Sequence, residues 1–203
     1  AYEIGVRLVG SEMCIRDSRY TYADAFRRVR QLANALQNCG FKPGDRIATL
    51  AWNDHRHFEL YYAISCSGQI CHTINPRLFA EQIDFIINHA EDQWVFTDPM
   101  FVPLLEGLKE SLPTVKGFVV LTDAANMPSS SLENVHCYET FIADQADTFE
   151  WPDLDENTAS SMCYTSGTTG NPKGVVYSHR STVLHSIVGS LPDVMSLSGD
   201  DVI

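Results

Sequence analysis

Short apolar runs alternate with segments of helical periodicity along this chain, and that alternation restricts the folds open to it. The apolar runs are residues 47–52, 70–74, 94–96 and 118–121, and the helical segments are residues 21–38, 58–66, 80–89 and 102–110. A connection between parallel strands usually contains a helix, so a strand–helix–strand rhythm is typical of a parallel sheet with helices on both faces. The pattern predicts an α/β fold with a mostly parallel sheet and flanking helices.

Two stretches carry local signals that refine this prediction. Thr21 and Asp24 are spaced as an N-terminal capping pair, and Gly40 follows the first helical segment where helices commonly end. Residues 123–156 lack the alternation, since residues 127–131 are turn-like and the stretch holds nine acidic residues but neither Lys nor Arg. We expect this stretch to be a hydrated surface connection between two halves of the fold, with an acidic partner-binding face as the alternative.

The charge balance narrows the function classes. The 203 residues include 26 Asp and Glu against 14 Lys and Arg, a formal net charge of -12. Because such a charge repels a polyphosphate backbone, we exclude nonspecific nucleic-acid binding. No apolar run approaches the ~18 residues of a membrane helix, so no transmembrane segment is expected. The six cysteines contain no CxxC spacing, which favours reduced thiols over a disulfide framework or a zinc site.

Both ends of the sequence are expected to differ from those of a complete native protein. Residues 8–18 resemble a translated adapter end from a sequencing library, so we expect residues 1–18 to be non-native, with an ordinary N-terminal segment as the alternative. Residues 200–203 are a turn signal followed by the start of an apolar run, which is how a strand begins. Residues 19–203 are therefore expected to be part of a longer protein.

A loop rich in glycine and hydroxyl side chains carries the most chemical information. It spans residues 165–174, directly after a strand-like run at 160–164, and contains three Gly, three Thr and one Ser. Glycine lets the backbone adopt positive φ and approach a ligand closely, and hydroxyls add donors beside the amides, which suits phosphate oxygens. Lys173 adds a compact positive charge, and residues 165–180 contain no acid. The loop predicts an anion site, with a glycine-rich turn between two strands as the alternative.

The spacing within the loop excludes a Walker phosphate loop. That motif, GxxxxGK[ST], needs more residues between its glycines and a Ser or Thr directly after the lysine, where this chain has Gly174. After the loop, residues 175–177 read as a strand, and Ser178 is placed to cap a helix over residues 179–189. The predicted order is strand, loop, strand, helix.

Residues 164–180, which read YTSGTTGNPKGVVYSHR, resemble the AMP-binding signature of acyl-adenylate-forming enzymes. Residues 72–78 and 82–90 resemble the fatty-acyl-CoA ligase branch of that superfamily, and the similarity spans residues 19–203. The resemblance implies a partial N-terminal AMP-binding domain. It implies a reaction in which ATP and a carboxylic acid give an acyl adenylate and pyrophosphate, after which coenzyme A gives a thioester.

The resemblance also assigns roles within the loop. It implies that the hydroxyl of Thr165 contacts Mg²⁺, while six further residues of the loop embrace the β- and γ-phosphates of ATP. Together with Thr165, the cofactor-binding residues are Ser166, Gly167, Thr168, Thr169, Gly170 and Lys173. The resemblance places the family's catalytic residues further along the complete protein, so no catalytic residue is expected in this chain, and the chain alone is expected to be inactive.

The expected substrate of the complete protein is a fatty acid. The resemblance implies a cytoplasmic enzyme, loosely associated with a membrane surface because its substrate is a lipid, and compatible with a homodimer. Two alternatives stay open at this point. The complete protein could activate another carboxylate, such as an aromatic or amino acid, or the chain could be an inactive nucleotide-binding fragment.

Several reactive or aromatic side chains are interpreted as structural. His179 is expected to begin a helix and His185 to face either core or solvent, so neither is assigned a catalytic role. Cys163 is expected to be a small buried apolar side chain rather than a nucleophile. The aromatic side chains expected in the core are Tyr61, Tyr62 and Trp94.

Overall fold

The computed structural model describes residues 21–165 and 172–198. One sheet holds the strands β1 Arg46–Leu50, β2 Ile70–Thr73, β3 Trp94–Thr97, β4 Gly117–Val120, β5 Val135–Cys137, β6 Ala159–Thr165 and β7 Lys173–Ser178. The helices are α1 Tyr22–Asn38, α2 His55–Cys66, α3 Ala80–Ala90, α4 Val102–Leu108, α5 Tyr138–Ala143 and α6 His179–Ser190. The strand order is β5-β4-β3-β1-β2-β6-β7. Every neighbouring pair is parallel except the antiparallel pair β6 and β7, so the predicted α/β fold with a mostly parallel sheet is confirmed.

The core consists of two apolar clusters, one on each face of the sheet. Side chains alternate along each strand, so Ile47 of β1 packs beneath α1, α2 and α5, while Ala48 packs beneath α3 and α4. In β3, Phe96 and Val95 divide between the same two clusters. Strands covered on both faces need mostly apolar residues at successive positions, which explains the short, mostly apolar runs in the sequence.

The N-terminal cap of α1 forms as predicted. The amide N–H of Asp24 donates to the Thr21 hydroxyl oxygen at 3.1 Å, and the Thr21 amide N–H donates to the Asp24 carboxylate at 3.3 Å. Hydrogen bonding from Thr21 lowers the pKa of Asp24. At the other end of the helix, Gly40 adopts φ of +80°, a conformation that glycine reaches without strain.

The prediction for residues 123–156 was wrong. This stretch contains β5 and α5, and it buries Leu132, Tyr138 and Ile142. β5 is an edge strand whose three residues are all only partly buried, so it has no apolar run to mark it in the sequence. α5 is six residues long, too short to show a clear helical period.

An ionic network ties α5 to the first two helices. Arg28 of α1 donates through Nε to Glu59 of α2 at 2.6 Å, and through Nη1 and Nη2 to Glu139 of α5 at 2.9 and 3.1 Å. Arg56 donates to the same Glu139 carboxylate at 2.7 Å, and the Tyr138 hydroxyl donates to Glu59 at 2.5 Å. Burial alone would raise the pKa of Glu139, but the two arginines hold it below its usual value. At least one of the nine acids is therefore part of the packed structure.

Of the three aromatic side chains expected in the core, one is buried and two are not. Trp94 is buried in the core, as expected. The prediction for Tyr61 and Tyr62 was wrong, since their side chains are 39% and 50% exposed. α2 buries Leu60 and Ile64 in the core, whereas Tyr61 and Tyr62 stay partly accessible to solvent.

No helix within the described residues is both long enough and apolar enough to cross a membrane.

Candidate functional site

The glycine-rich loop leaves the sheet at a point where the chain changes direction. β2 and β6 are parallel neighbours, with Thr73 in register with Cys163. After β2 the chain crosses to β3, on the far side of β1, whereas after β6 it turns outward to β7. In open α/β sheets, ligands bind outside the carboxyl ends of strands whose connections diverge in this way. The fold therefore sets the loop at the edge where a ligand is expected.

The two strands of the β6–β7 hairpin bring Thr165 and Lys173 together. They are cross-strand partners in the antiparallel register, and both are exposed. Opposite residues of an antiparallel pair lie on one face with Cβ atoms about 5 Å apart, so the hydroxyl and the ammonium flank the mouth of the loop on the same side. The remaining predicted site residues, Ser166, Gly167, Thr168, Thr169 and Gly170, lie outside the described residues.

The sequence left open whether the glycine-rich loop is an anion site or a turn between two strands, and the hairpin is compatible with both. The loop is a connection between antiparallel strands, and its lysine is still available to an anion. Within residues 21–165 and 172–198, no carboxylate forms an ion pair with Lys173. A turn between two strands and an anion site are thus compatible here.

Arg180, the second cation of the acid-free stretch, has a different role. Its guanidinium donates to Glu156 at 2.6 Å, and its amide N–H donates to the Glu156 carbonyl at 2.7 Å. Ser178 caps α6 as predicted, accepting from the Ser181 amide at 3.1 Å, and His179 is the first residue of that helix. Since Arg180 is used at the base of α6, Lys173 is the cation of this stretch that lies at the mouth of the loop.

Gly174 lies in close contact with a neighbouring ring and does not have a positive φ. It is the cross-strand partner of Tyr164, and a Cβ at this position would lie 3.2 Å from Cζ of the Tyr164 ring. That separation is shorter than a comfortable carbon–carbon contact of 3.5 to 4.0 Å. The sequence analysis attributed the loop glycines to backbone freedom; at Gly174 the structure shows tight packing against Tyr164 instead.

A second cluster at the same edge of the sheet was missed by sequence reasoning. Trp52 follows β1 and Asp98 follows β3, and the Trp52 amide N–H donates to the Asp98 carboxylate at 2.8 Å. Burial raises the pKa of Asp98 to about 6, although the hydrogen bond from Trp52 opposes that shift. The guanidinium of Arg77, which follows β2, lies 5.5 Å from the centre of the Trp52 ring. Their position in the sequence could have revealed this cluster, because all three residues come just after a strand of a parallel sheet.

The described residues contain no cluster of three or more His, Cys, Asp or Glu side chains that could hold a metal ion by themselves. Cys163 is only partly buried, less than expected, and its Sγ lies 3.9 Å from the Tyr177 hydroxyl. His185 is exposed on α6.

Comparison with known proteins places these features in a family. Residues 8–203 match the model of the AMP-binding enzyme family. The chain is 54% identical over 176 residues to a medium-chain-fatty-acid–CoA ligase of Ectopseudomonas oleovorans, covering 87% of this chain and 32% of that protein. It is 51% identical over 174 residues to a 3-methylmercaptopropionyl-CoA ligase of Ruegeria pomeroyi, covering 86% of this chain and 32% of that protein. The chain thus spans about a third of the length of these relatives.

The fold is also found in solved structures. The anthranilate CoA ligase AuaEII, in complex with anthranoyl-AMP, superimposes with a TM-score of 0.79 at 23% identity, over 87% of this chain and 33% of that one. At that identity the similarity concerns the fold, which agrees with the parallel sheet and its antiparallel hairpin.

Proposed function

This chain belongs to the AMP-binding enzyme family, and on that premise we propose that it is the N-terminal part of an ATP-dependent fatty-acid–CoA ligase. The observation that carries the proposal is the pairing of Thr165 with Lys173 across the root of a glycine-rich loop at the carboxyl edge of the sheet. The fatty acid is proposed because the relative that is 54% identical over 176 residues is named for that substrate class.

The proposed reaction has two steps. An oxygen of the carboxylate attacks the α-phosphorus of ATP, the bond from that phosphorus to the bridging oxygen breaks, and pyrophosphate leaves. The sulfur of coenzyme A, having given up its proton, then attacks the acyl carbon, and AMP leaves. Negative charge develops on the departing pyrophosphate, so a fixed cation and hydroxyl and amide donors accelerate the first step by stabilising that charge.

Lys173 supplies the fixed cation in this proposal. Its side chain is exposed at the start of β7, so it can reach an anion held by the loop without first breaking an ion pair within the described residues. The loop residues 166–170 would add hydroxyl and amide donors around the β- and γ-phosphates. Thr165 would lie on the same side of the hairpin as the lysine.

The residues present fit a magnesium ion that is held mainly by the nucleotide. Mg²⁺ commonly keeps several waters and binds through substrate phosphates with one or two protein oxygens, and Thr165 offers an exposed hydroxyl where the phosphates would lie. The ion would neutralise charge on the phosphates and on pyrophosphate as it forms. Thr165 would orient the ion through its hydroxyl oxygen.

The relatives differ in the carboxylic acid for which they are named, so the substrate is the part of the proposal with an alternative. The protein at 51% identity is named for 3-methylmercaptopropionate, a short thioether acid, so this segment is compatible with acids of different size. A ligase for another carboxylate is therefore the second candidate.

A panel of acids separates these candidates. Pyrophosphate release by a full-length protein carrying this segment is measured with fatty acids of increasing length, 3-methylmercaptopropionate, aromatic acids and amino acids. We expect the highest kcat/KM with a fatty acid. A preference for any other class supports the second candidate, and no release with any acid contradicts both and leaves a nucleotide-binding fragment.

Association of the full-length protein with itself and with membranes stays a prediction. Light scattering measures whether it forms a homodimer, and flotation with anionic lipid vesicles measures the loose membrane association.

A further inference from the structure

A hydrogen bond joins the β6–β7 hairpin, at its end next to the glycine-rich loop, to α3, which lies on the far side of β2. The hydroxyl of Tyr164, in β6, lies 2.6 Å from Nδ1 of His89. His89 is in the last turn of α3, the helix that connects β2 to β3. Burial raises the pKa of Tyr164, so its hydroxyl keeps its proton at neutral pH. The contact therefore links two elements that are 75 residues apart in the sequence.

Both partners of this hydrogen bond are held by ring contacts. The Tyr164 ring covers Gly174 on one side and lies edge-on to the His89 ring, with centroids 5.8 Å apart. The His72 ring lies 5.2 Å away, and its Nδ1 is bonded to the buried carboxylate of Asp92 at 2.6 Å. Tyr164 is therefore fixed against β7, β2 and α3 together.

Within the described residues, β7 has fewer such contacts than Tyr164. It is the last strand of the sheet that these residues form, and all six of its residues are exposed or only partly buried. Thr165 and Lys173, which we assign to the nucleotide, lie on the face opposite to Tyr164 and Gly174, because successive strand residues point to opposite faces. A contact on the Tyr164 face can thus hold the hairpin without touching the nucleotide.

We propose that Tyr164 and His89 are positioning residues for nucleotide binding, and that their hydrogen bond sets the orientation of Thr165 and Lys173. This proposal rests on the proposed function of the hairpin as the phosphate site. A ligand that binds one arrangement of a loop has its apparent affinity reduced by the fraction of molecules in that arrangement. One hydrogen bond changes such an equilibrium by about five-fold, so its loss is expected to weaken ATP binding by about that factor.

The test uses matched removals of a hydroxyl from one hairpin. Tyr164→Phe removes the bond to His89, whereas Tyr177→Phe removes a hydroxyl that lies 3.9 Å from a cysteine sulfur. In the full-length protein, Tyr164→Phe is expected to raise the Kd for ATP by calorimetry, and the KM for ATP, about five-fold. KM for the acid and for coenzyme A should stay within two-fold of wild type, as should all constants of Tyr177→Phe.

Variants of the partner residue give an independent readout. His89→Leu is expected to match Tyr164→Phe, and the double variant to be no weaker than either single one, because both remove the same interaction. His89→Gln retains a polar partner for the hydroxyl and should restore most of the ATP affinity.

Each outcome decides the proposal. Unchanged ATP affinity in Tyr164→Phe overturns it, as do equal losses for all three substrates or additive losses in the double variant. Wild-type protein that binds no ATP overturns both this inference and the proposed function. ATP binding that weakens as expected, in a protein that releases no pyrophosphate with any acid, overturns the proposed function alone.

Discussion

Removal of Arg28 tests whether the ionic network is a main source of stability for the helical layer above β1. Arg28 is the side chain that contacts both Glu59 and Glu139, and its own side chain is 17% exposed. Arg28→Met keeps much of the aliphatic stem and removes the charge. Glu59, at 0% exposure, then keeps its hydrogen bond from Tyr138 but loses the guanidinium 2.6 Å away.

The structure sets the size of the effect. Breaking one partner out of a buried ion pair costs about 3 to 5 kcal/mol. Glu139 keeps Arg56 and is 28% exposed, so most of the cost comes from Glu59, and we expect a loss of about 3 kcal/mol in the free energy of unfolding. For a chain of this size that loss lowers the Tm by about 6 to 12 °C.

Thermal unfolding followed by circular dichroism measures the shift. Arg27→Met is the matched control, because the neighbouring arginine is 53% exposed and reaches Asp24 at 3.5 Å, and its loss should cost less than about 0.5 kcal/mol. The double variant Arg28→Met/Glu59→Gln should recover part of the loss, since it removes the buried charge as well. Equal Tm values for Arg28→Met and Arg27→Met would refute the reasoning.

Two further changes probe the carboxyl edge of the sheet. Burial raises the pKa of Asp98 to about 6, above the unfolded value of about 3.9, so the folded state binds more protons and stability falls as pH rises from about 4 to about 6. Asp98→Asn removes that contribution, and Tm measured across this range should fall less steeply than in wild type; an identical slope would count against it. Thr165→Ala in the full-length protein should chiefly raise the Mg²⁺ concentration for half-maximal pyrophosphate release, and an unaltered requirement would remove Thr165 from the metal site.

The parallel part of the fold could be predicted because its signals are local. β1, β2, β3 and β4 are covered on both faces, so each is a short apolar run, and α1 announces its start through Thr21 and Asp24. β5 and α5 could not be found in this way, since one is a partly buried edge strand and the other a helix of only six residues. α5 is tied to α1 by the ion pair of Glu139 with Arg28, 111 residues away, and pairing at that distance leaves no trace in a local pattern.

The candidate site was predictable in composition but not in geometry. Glycine, hydroxyls and a lysine in one loop indicated anion binding, and the strands on either side of that loop were visible. Their antiparallel pairing, which makes Thr165 and Lys173 partners, depends on the sheet order. The ion pair of Arg180 with Glu156 and the hydrogen bond of Tyr164 with His89 join elements that are distant in sequence. Neither interaction was foreseen.

ATP use by Lys173→Ala tests the central claim most directly. The control is Lys42→Ala, which changes an exposed lysine before β1, at the opposite edge of the sheet. In the full-length protein we expect kcat/KM for ATP in pyrophosphate release to fall on the order of 100-fold in Lys173→Ala, as when one charge-stabilising donor is removed, and to stay within two-fold in Lys42→Ala. Adenylation kinetics in Lys173→Ala equal to those of the control would contradict the assignment of this loop to the nucleotide.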